Sequence, residues 1–98
     1  MTPEIEAIVE DLQREIRDNW SEQNQNDFYL TGIQDNGTMG HLHHSLGRAV
    51  RNNYNLWSMS WEPEIRGGID YSPYHPDCLS DTILKEVWSR GLQHKETT

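Results

Sequence analysis

Apolar residues at three- and four-residue spacing begin close to the amino terminus and fix the first element of the fold. The stripe consists of Ile5, Ile8, Val9, Leu12 and Ile16, with Trp20 as its extension. This spacing predicts an amphipathic helix over about residues 3–20. Thr2 is suited to cap that helix, and Pro3 suits its first turn. The rest of the fold must therefore supply a surface that covers the stripe.

The composition limits how large that surface can be. The chain has 98 residues, of which 34% are hydrophobic. This length predicts one domain, residues 1–98, with a real but small core. The four tryptophans and four tyrosines are interpreted as core residues in preference to stacking platforms for a base or a sugar, because each can bury a large area.

Two more helices are predicted, over about residues 40–56 and 76–91. The apolar side of the second helix is formed by Leu42, Leu46, Ala49, Val50, Leu56 and Trp57. Between the first two helices, Phe28–Ile33 is interpreted as a short strand before an Asp-Asn-Gly turn, with a packed irregular loop as the alternative. The predicted fold class is mainly α, a compact three-helix domain with a minor β-hairpin between helices 1 and 2.

The segment from residue 58 to residue 73 contains two prolines and two glycines. It also carries Trp61, Ile65 and Ile69, and a disordered linker rarely has so many large apolar residues. We expect an ordered loop that these apolar residues anchor.

The net charge of −8 is concentrated near the amino terminus. Such acidity argues against direct binding of nucleic acid or of an anionic membrane. It is consistent with a protein partner that has a basic surface, or with a partner whose nucleic-acid-binding groove this protein would occupy. The alternative is that the charge only maintains solubility. The predicted partner-binding residues are on the exposed side of the first helix: Glu6, Glu10, Asp11, Glu15 and Asp18.

Cysteine usage and hydropathy favour a cytoplasmic location. Cys78 is the only cysteine, which excludes an internal disulfide and fits a reducing compartment. The amino terminus lacks a signal-peptide pattern, and no apolar run approaches membrane-spanning length. The sequence does not determine the oligomeric state, and a homo-oligomer is one possibility.

A polar stripe on the second predicted helix is the main candidate for ligand binding. Its members are His41, His44, Arg48, Arg51 and Asn55, at spacings of three, four, three and four residues. In one interpretation the arginines pair with the protein's own carboxylates or face water. In the other, the stripe captures an anion such as a phosphate or carboxylate. His41 and His44 are also spaced to share a metal ion, with His75, Asp77 or Cys78 completing the site; the alternative is that these histidines are hydrogen-bonded or surface groups.

Catalytic signals are sparse. Cys78 follows His75 by three residues near a predicted helix start, where a thiolate would be favoured. The alternative is that His-Pro-Asp is simply a helix-start motif. There is no phosphate-binding glycine loop, paired-cysteine zinc pattern or glycine-flanked serine elbow. We predict no catalytic residue, no metal site and no cofactor.

Two segments of the second half resemble a family of small bacterial and phage proteins of unknown function. The first runs from His43 through Gly47-Arg48-x-Val50-Arg51-Asn52 to Leu56-Trp57, and the second begins His75-Pro76-Asp77. The family pattern is Gly-x-x-Ile-Arg-Asn-x-x-x-Leu-Trp followed by His-Pro-Asp-Asp-Met-Ser. Here Cys78 and Leu79 replace the second aspartate and the methionine. The resemblance implies a shared polar cluster of Arg51, Asn52, His75 and Asp77, with Asp77 as a partner of Arg51.

Two functions follow as expectations. The first is a non-enzymatic binding or regulatory protein of bacterial or phage origin, which would include an inhibitor of a host defence or nucleic-acid-binding protein and an antitoxin-like partner that is stable only in complex. The second is a small-ligand or metal-binding protein, or a hydrolase. Its candidate ligand-binding residues are His44, Arg48, Arg51, Asn52, His75 and Asp77.

Overall fold

The computed structural model describes residues 2–37 and 40–97. In this part of the chain there are four α-helices: α1 (Pro3–Asn19), α2 (Glu22–Gln34), α3 (Leu46–Asn53) and α4 (Pro76–Thr97). Short 3-10 helices cover Gly40–Leu42 and Leu56–Ser58, and two strands, β1 (Ile65–Arg66) and β2 (Ile69–Asp70), form a hairpin. The mainly α class is confirmed, but the prediction of three helices is wrong. Among the described residues, no helix combines the length and apolarity needed to cross a membrane.

The apolar stripe of α1 is buried mainly against α4. Thr2 Oγ1 accepts a hydrogen bond from the backbone N–H of Ile5 at 3.3 Å, as expected of an N-cap. The buried residues of the two helices form one cluster with single residues from the other elements: Ile5, Val9, Leu12, Ile16, Phe28, Val50, Leu56, Leu79, Ile83, Leu84 and Val87. Helix α4 also packs on α2 and α3, so it is the central element of the fold.

The predicted strand at Phe28–Ile33 is instead the second half of α2. Ser21 caps this helix by accepting a hydrogen bond from the N–H of Asn24 at 3.1 Å. Phe28 and Gly32, one helical turn apart, both face the interior. A short run of this kind is compatible with either a strand or a buried helical turn. Here the N-cap at Ser21 and the burial of Phe28 and Gly32 stabilise the helix.

The Asp-Asn-Gly segment ends α2 and makes no hairpin. The N–H of Gly37 donates to the carbonyl of Gly32 at 2.8 Å, and the N–H of Asn36 donates to the carbonyl of Ile33 at 3.1 Å. Asn36 has a positive φ of 55°. These are the bonds and the backbone conformation of a Schellman cap. The minor hairpin predicted between the first two helices is therefore wrong, and residues 65–70 form the hairpin that the structure does contain.

The predicted second helix, over about residues 40–56, is α-helical only over Leu46–Asn53: Gly40–Leu42 is a separate 3-10 helix, so His44 precedes α3, and the helix is also interrupted near its carboxyl end. Asn55 adopts a left-handed conformation with φ 53° and ψ 45°, which ends the helical geometry after α3. As a result Leu56 is fully buried, whereas Trp57 is turned outward and is 53% exposed. The sequence placed both residues on the apolar side of one helix, and for Trp57 that placement is wrong.

The hairpin pairs Ile65 with Asp70 and Arg66 with Ile69 in antiparallel register. Its turn consists of Gly67 and Gly68, whose φ values of 58° and 82° lie where glycine is favoured. Both isoleucines are more than half exposed. The expectation that they anchor the loop is therefore wrong.

Candidate functional site

Arg51 is a buried tether between α3 and α4. Its side chain is 9% exposed. Nη1 donates to Ser80 Oγ at 2.8 Å, and Nη2 donates to the backbone carbonyl of His43 at 3.2 Å. Nε lies 3.7 Å from Asp77 Oδ1. The Arg51–Asp77 pair implied by the family resemblance is thus present, and its guanidinium is occupied by the protein's own groups.

Gly47 explains why this tether can form. A Cβ atom there would lie 3.2 Å from Arg51 Nη1 and 3.3 Å from the carbonyl oxygen of Leu42. Such contacts are tighter than ordinary van der Waals distances, so a side chain would push the guanidinium from its partners. The glycine of the family pattern has a packing role in this chain.

Of the other predicted ligand-binding residues, only Asp77 and His75 are linked to Arg51: Asp77 Oδ1 lies 3.7 Å from Arg51 Nε, and Asp77 Oδ2 lies 4.0 Å from His75 Nδ1. His44, Arg48 and Asn52 are exposed. His75 packs its ring between Trp57 and Trp61, with centroid distances of 5.3 and 5.5 Å. Five surface clefts of 240–440 Å³ in the described part of the chain are lined by none of the six candidates. The side chain of His41 lies outside the described part of the chain.

His43 and His75 each lie beside a different aspartate, Asp81 and Asp77 respectively. His43 Nδ1 lies 2.9 Å from Asp81 Oδ1, and His75 Nδ1 accepts a hydrogen bond from the backbone N–H of Asp77 at 3.2 Å. Cys78 is exposed. Within the described residues, no group of three or more His, Cys, Asp or Glu residues is arranged to hold a metal ion.

The predicted partner-binding residues of α1 divide into two groups. Glu6 faces α4, where Arg90 Nη2 donates to its Oε2 at 2.8 Å, and this bond lowers the pKa of the Glu6 carboxyl. The other four remain exposed: Glu10, Asp11, Glu15 and Asp18. Asp11 accepts a hydrogen bond from the Tyr54 hydroxyl at 2.6 Å. Burial, followed by this bond, raises the pKa of Tyr54.

The most distinctive surface is one that the sequence analysis missed. Five of the seven large apolar side chains that are exposed in the described part of the chain are concentrated between residues 57 and 74: Trp57, Ile65, Ile69, Tyr71 and Tyr74. We call residues 57–75 the aromatic loop. All five lie within eighteen residues of sequence, and exposed apolar side chains mark interaction surfaces where they form a contiguous patch. The signal in the sequence is the density of apolar residues in this segment, of which the aromatic ones are interpreted as core residues and the isoleucines as anchors of an ordered loop.

A single carboxylate organises the aromatic loop. Asp70 Oδ1 accepts hydrogen bonds from the backbone N–H groups of Glu64 at 3.0 Å and Ser72 at 2.9 Å. Its Oδ2 accepts from the indole Nε1 of Trp61 at 3.0 Å. These bonds, that from Trp61 first, hold the pKa of Asp70 below its ordinary value, because they favour the charged form. The loop is therefore an ordered platform that Asp70 fastens together.

Protonation of Asp70 is expected to loosen this platform only in unusually acidic solution. A lowered pKa means that the contribution of the carboxylate to stability is present above the ordinary aspartate pKa and is lost as pH falls through the folded-state value. We predict that the indole N–H resonance of Trp61 in ¹H–¹⁵N NMR spectra shows an acid titration step that Asp70→Asn abolishes, with its midpoint below pH about 4, the ordinary aspartate pKa. A midpoint at or above that pH would contradict the assignment; Asp70→Asn, which removes the titrating group, is the control.

These features define a small, mainly helical domain with an ordered, aromatic-rich surface loop. The chain belongs to the family described as a domain of unknown function, DUF6794, whose model matches residues 7–90. The match extends over the second half of the chain, where the two resembling segments lie, and over most of α1, which those segments did not include. No curated protein and no solved structure matches the chain.

Proposed function

We propose that this protein is a non-enzymatic binding protein that acts by occupying the surface of a protein partner, with the aromatic loop as its contact site. The observation that carries the proposal is the concentration of exposed aromatic and aliphatic side chains on a segment that Asp70 holds in shape. Aromatic side chains contribute a disproportionate share of the energy of protein interfaces. Preorganisation adds to affinity, because an ordered loop loses less conformational entropy on binding.

The charge of the protein favours a basic partner. The exposed face of α1 retains Glu10, Asp11, Glu15 and Asp18, in a chain with a net charge of −8. Complementary charge outside the contact centre mainly accelerates association and disfavours partners of the wrong sign. In this proposal α1 steers the partner and the aromatic loop supplies the contact. Inhibition of a nucleic-acid-binding protein is the narrower form of the same proposal, because such proteins carry basic surfaces.

The arrangement of Arg51 gives no comparable support to the ligand-binding alternative. A guanidinium that already serves Ser80, the carbonyl of His43 and Asp77 would have to give up these partners before it could bind an external anion. Leaving them unpaired in a buried site is costly.

Paired substitutions in the hairpin test the proposal. Ile65→Ser with Ile69→Ser is expected to leave the free energy of unfolding within about 0.5 kcal/mol, because both side chains are exposed. The same pair should reduce recovery of the partner at least tenfold when the tagged protein is used to isolate complexes from cells that encode it, since anchor residues each contribute more than about 1 kcal/mol.

The matched control is Leu30→Ser with Ile33→Ser on α2. These residues are 56% and 53% exposed, close to the 62% and 57% of Ile65 and Ile69. The control pair removes similar apolar area away from the aromatic loop, so partner recovery should be retained. Equal loss with both pairs, or recovery of no partner with a basic surface, would contradict the proposal.

A further inference from the structure

A surface cleft at the base of the aromatic loop has the chemistry of a receptor for a cationic side chain. The cleft has a volume of 380 Å³ and is lined by Glu62, Pro63, Glu64, Ser72, Pro73 and Tyr74. Its size lies at the lower end of the range for ligand-binding clefts. The lining combines apolar and aromatic groups with two carboxylates, and it contains no lysine, arginine or histidine.

The two walls of the cleft are fixed relative to each other. One wall belongs to residues 62–64 and the other to residues 72–74. Asp70 Oδ1 accepts hydrogen bonds from the backbone of both walls, at Glu64 and at Ser72. The N–H of Tyr71 also donates to the carbonyl of Glu64 at 2.9 Å, which extends the hairpin pairing to the edge of the cleft. The cleft is therefore formed before any partner arrives.

Ser72 holds the aromatic part of the cleft. Its side chain is 2% exposed, and its Oγ accepts a hydrogen bond from the backbone N–H of Tyr74 at 3.2 Å. The Tyr74 side chain remains 45% exposed. Two prolines limit the backbone freedom of the walls. The Ser72 bond fixes the backbone at Tyr74, whose ring lines the cleft, and aromatic rings and carboxylates such as those of Glu62 and Glu64 both attract cations.

Arg66 places its guanidinium beside the carboxylate of Glu64, which lines the cleft, and over the neighbouring ring of Tyr71. Arg66 Nη2 lies 3.5 Å from Glu64 Oε1, and its guanidinium carbon lies 5.9 Å from the centroid of the Tyr71 ring. Both partners of the ion pair are more than half exposed, so the pair is weak and can be replaced or joined by another cation. Glu62 has no such partner among the described residues.

We propose that this cleft binds a lysine or arginine side chain of an extended basic segment in the partner protein. The inference rests on the proposed function and adds the chemistry of the partner: a cation whose aliphatic stem packs on Pro63, Pro73 and Tyr74 while its head pairs with Glu62 and Glu64. Charge complementarity selects this occupant, because an anionic or purely apolar segment would leave Glu62 without compensation and would leave Glu64 only its weak pair with Arg66.

The test uses the intact protein and a defined peptide. A Gly-Arg repeat peptide of eight residues is titrated while the Trp61 indole and Tyr74 amide resonances are followed by NMR, with Gly-citrulline and Gly-Glu repeats of equal length as probes without the positive charge. We expect saturable shifts at Tyr74 with the arginine peptide and none with the other two. Shifts that are centred on α1 instead, or no binding at millimolar peptide, would overturn the proposal.

Charge-neutral variants locate the contact. Glu62→Gln with Glu64→Gln is expected to weaken binding of the arginine peptide about fivefold or more, because two ion pairs are lost. Glu22→Gln with Asp27→Asn on α2 changes the net charge equally, and it should weaken binding less than twofold. Equal weakening by the two pairs would mean that only average charge matters, and it would overturn the cleft assignment.

The two proposals can fail separately. If Ile65→Ser with Ile69→Ser abolishes partner recovery while Glu62→Gln with Glu64→Gln leaves peptide binding unchanged, the aromatic loop binds a protein, but the cleft takes no cation. If the peptide binds in the cleft while the serine pair leaves partner recovery intact, the cation site stands and the hairpin contact fails.

Discussion

Replacing Arg51 with alanine is expected to lower the free energy of unfolding by about 2–3 kcal/mol, in the range for losing the hydrogen bonds of a buried charged group. The guanidinium is the donor to Ser80 Oγ at 2.8 Å and to the carbonyl of His43 at 3.2 Å. Alanine leaves these acceptors without their donor and leaves Asp77 without its cation, next to a new cavity. Helix α3 would lose its polar tether to α4 and to the turn before it.

The measurement is urea denaturation followed by far-ultraviolet circular dichroism. Arg48→Ala is the matched control, because Arg48 lies on the same helix but is exposed, and its loss should change stability by no more than about 0.5 kcal/mol. Arg51→Lys should restore only part of the lost stability, since an ammonium group cannot reproduce the fork of guanidinium donors. Similar losses for Arg51→Ala and Arg48→Ala would refute the assignment of Arg51 as a structural tether.

Substitution of Gly32 by alanine is expected to cost about 2–3 kcal/mol, in the range for overpacking a well-packed interior. A Cβ atom at Gly32 would overlap the indole ring of Trp88. The ring cannot move away freely, because its Nε1 donates to the carbonyl of Tyr29 at 3.1 Å. Either the ring shifts and this bond breaks, or α2 moves away from α4.

A double-mutant cycle with Trp88→Phe tests the mechanism by thermal denaturation. Phenylalanine has a smaller ring and no N–H donor, so it relieves the overlap and removes the bond that resists it. We expect Gly32→Ala to cost at least 1 kcal/mol less in the Trp88→Phe background, because residues in direct contact show non-additive effects of about 0.5–3 kcal/mol. Additive effects would show that alanine acts through something other than the indole. Gln34→Ala, on the exposed side of α2, should have little effect.

Sequence analysis succeeded where local signals agreed with one another. Helix α1 was predictable because its cap at Thr2, its first-turn proline and its apolar spacing all indicate the same structure. Around Phe28 the signals conflicted, because a short apolar run followed by Asp-Asn-Gly is typical of a hairpin and also of a capped helix. The choice depends on Trp88, which contacts α2 from a position about sixty residues further along the chain. Tertiary contacts of this kind cannot be read from a local pattern.

The candidate site was predicted less well than the fold, for a related reason. Helical spacing placed Arg51 on an exposed polar stripe with His44 and Arg48, yet Arg51 alone is buried. The left-handed backbone of Asn55 decides that Leu56 points inward and Trp57 outward, and nothing in the apolar pattern reveals it. Asp70 holds the aromatic loop together only because three hydrogen-bond donors surround its carboxylate in the folded loop. These are the backbone N–H groups of Glu64 and Ser72 and the indole N–H of Trp61. Sequence spacing identified chemically capable residues, but the fold determines which of them face solvent.

The packing of α1 on α4 has a consequence for biosynthesis. The hydrogen bond from Arg90 Nη2 to Glu6 Oε2, 2.8 Å long, connects two residues that are 84 positions apart in the sequence. Because synthesis proceeds from the amino terminus, the apolar stripe of α1 emerges from the ribosome long before the helix that covers it. Contacts of such long sequence separation also slow folding, because most of the chain must be ordered before they form. Until α4 has emerged, Ile5, Val9 and Leu12 lack the partner that buries them, and exposed apolar surface of this kind favours aggregation.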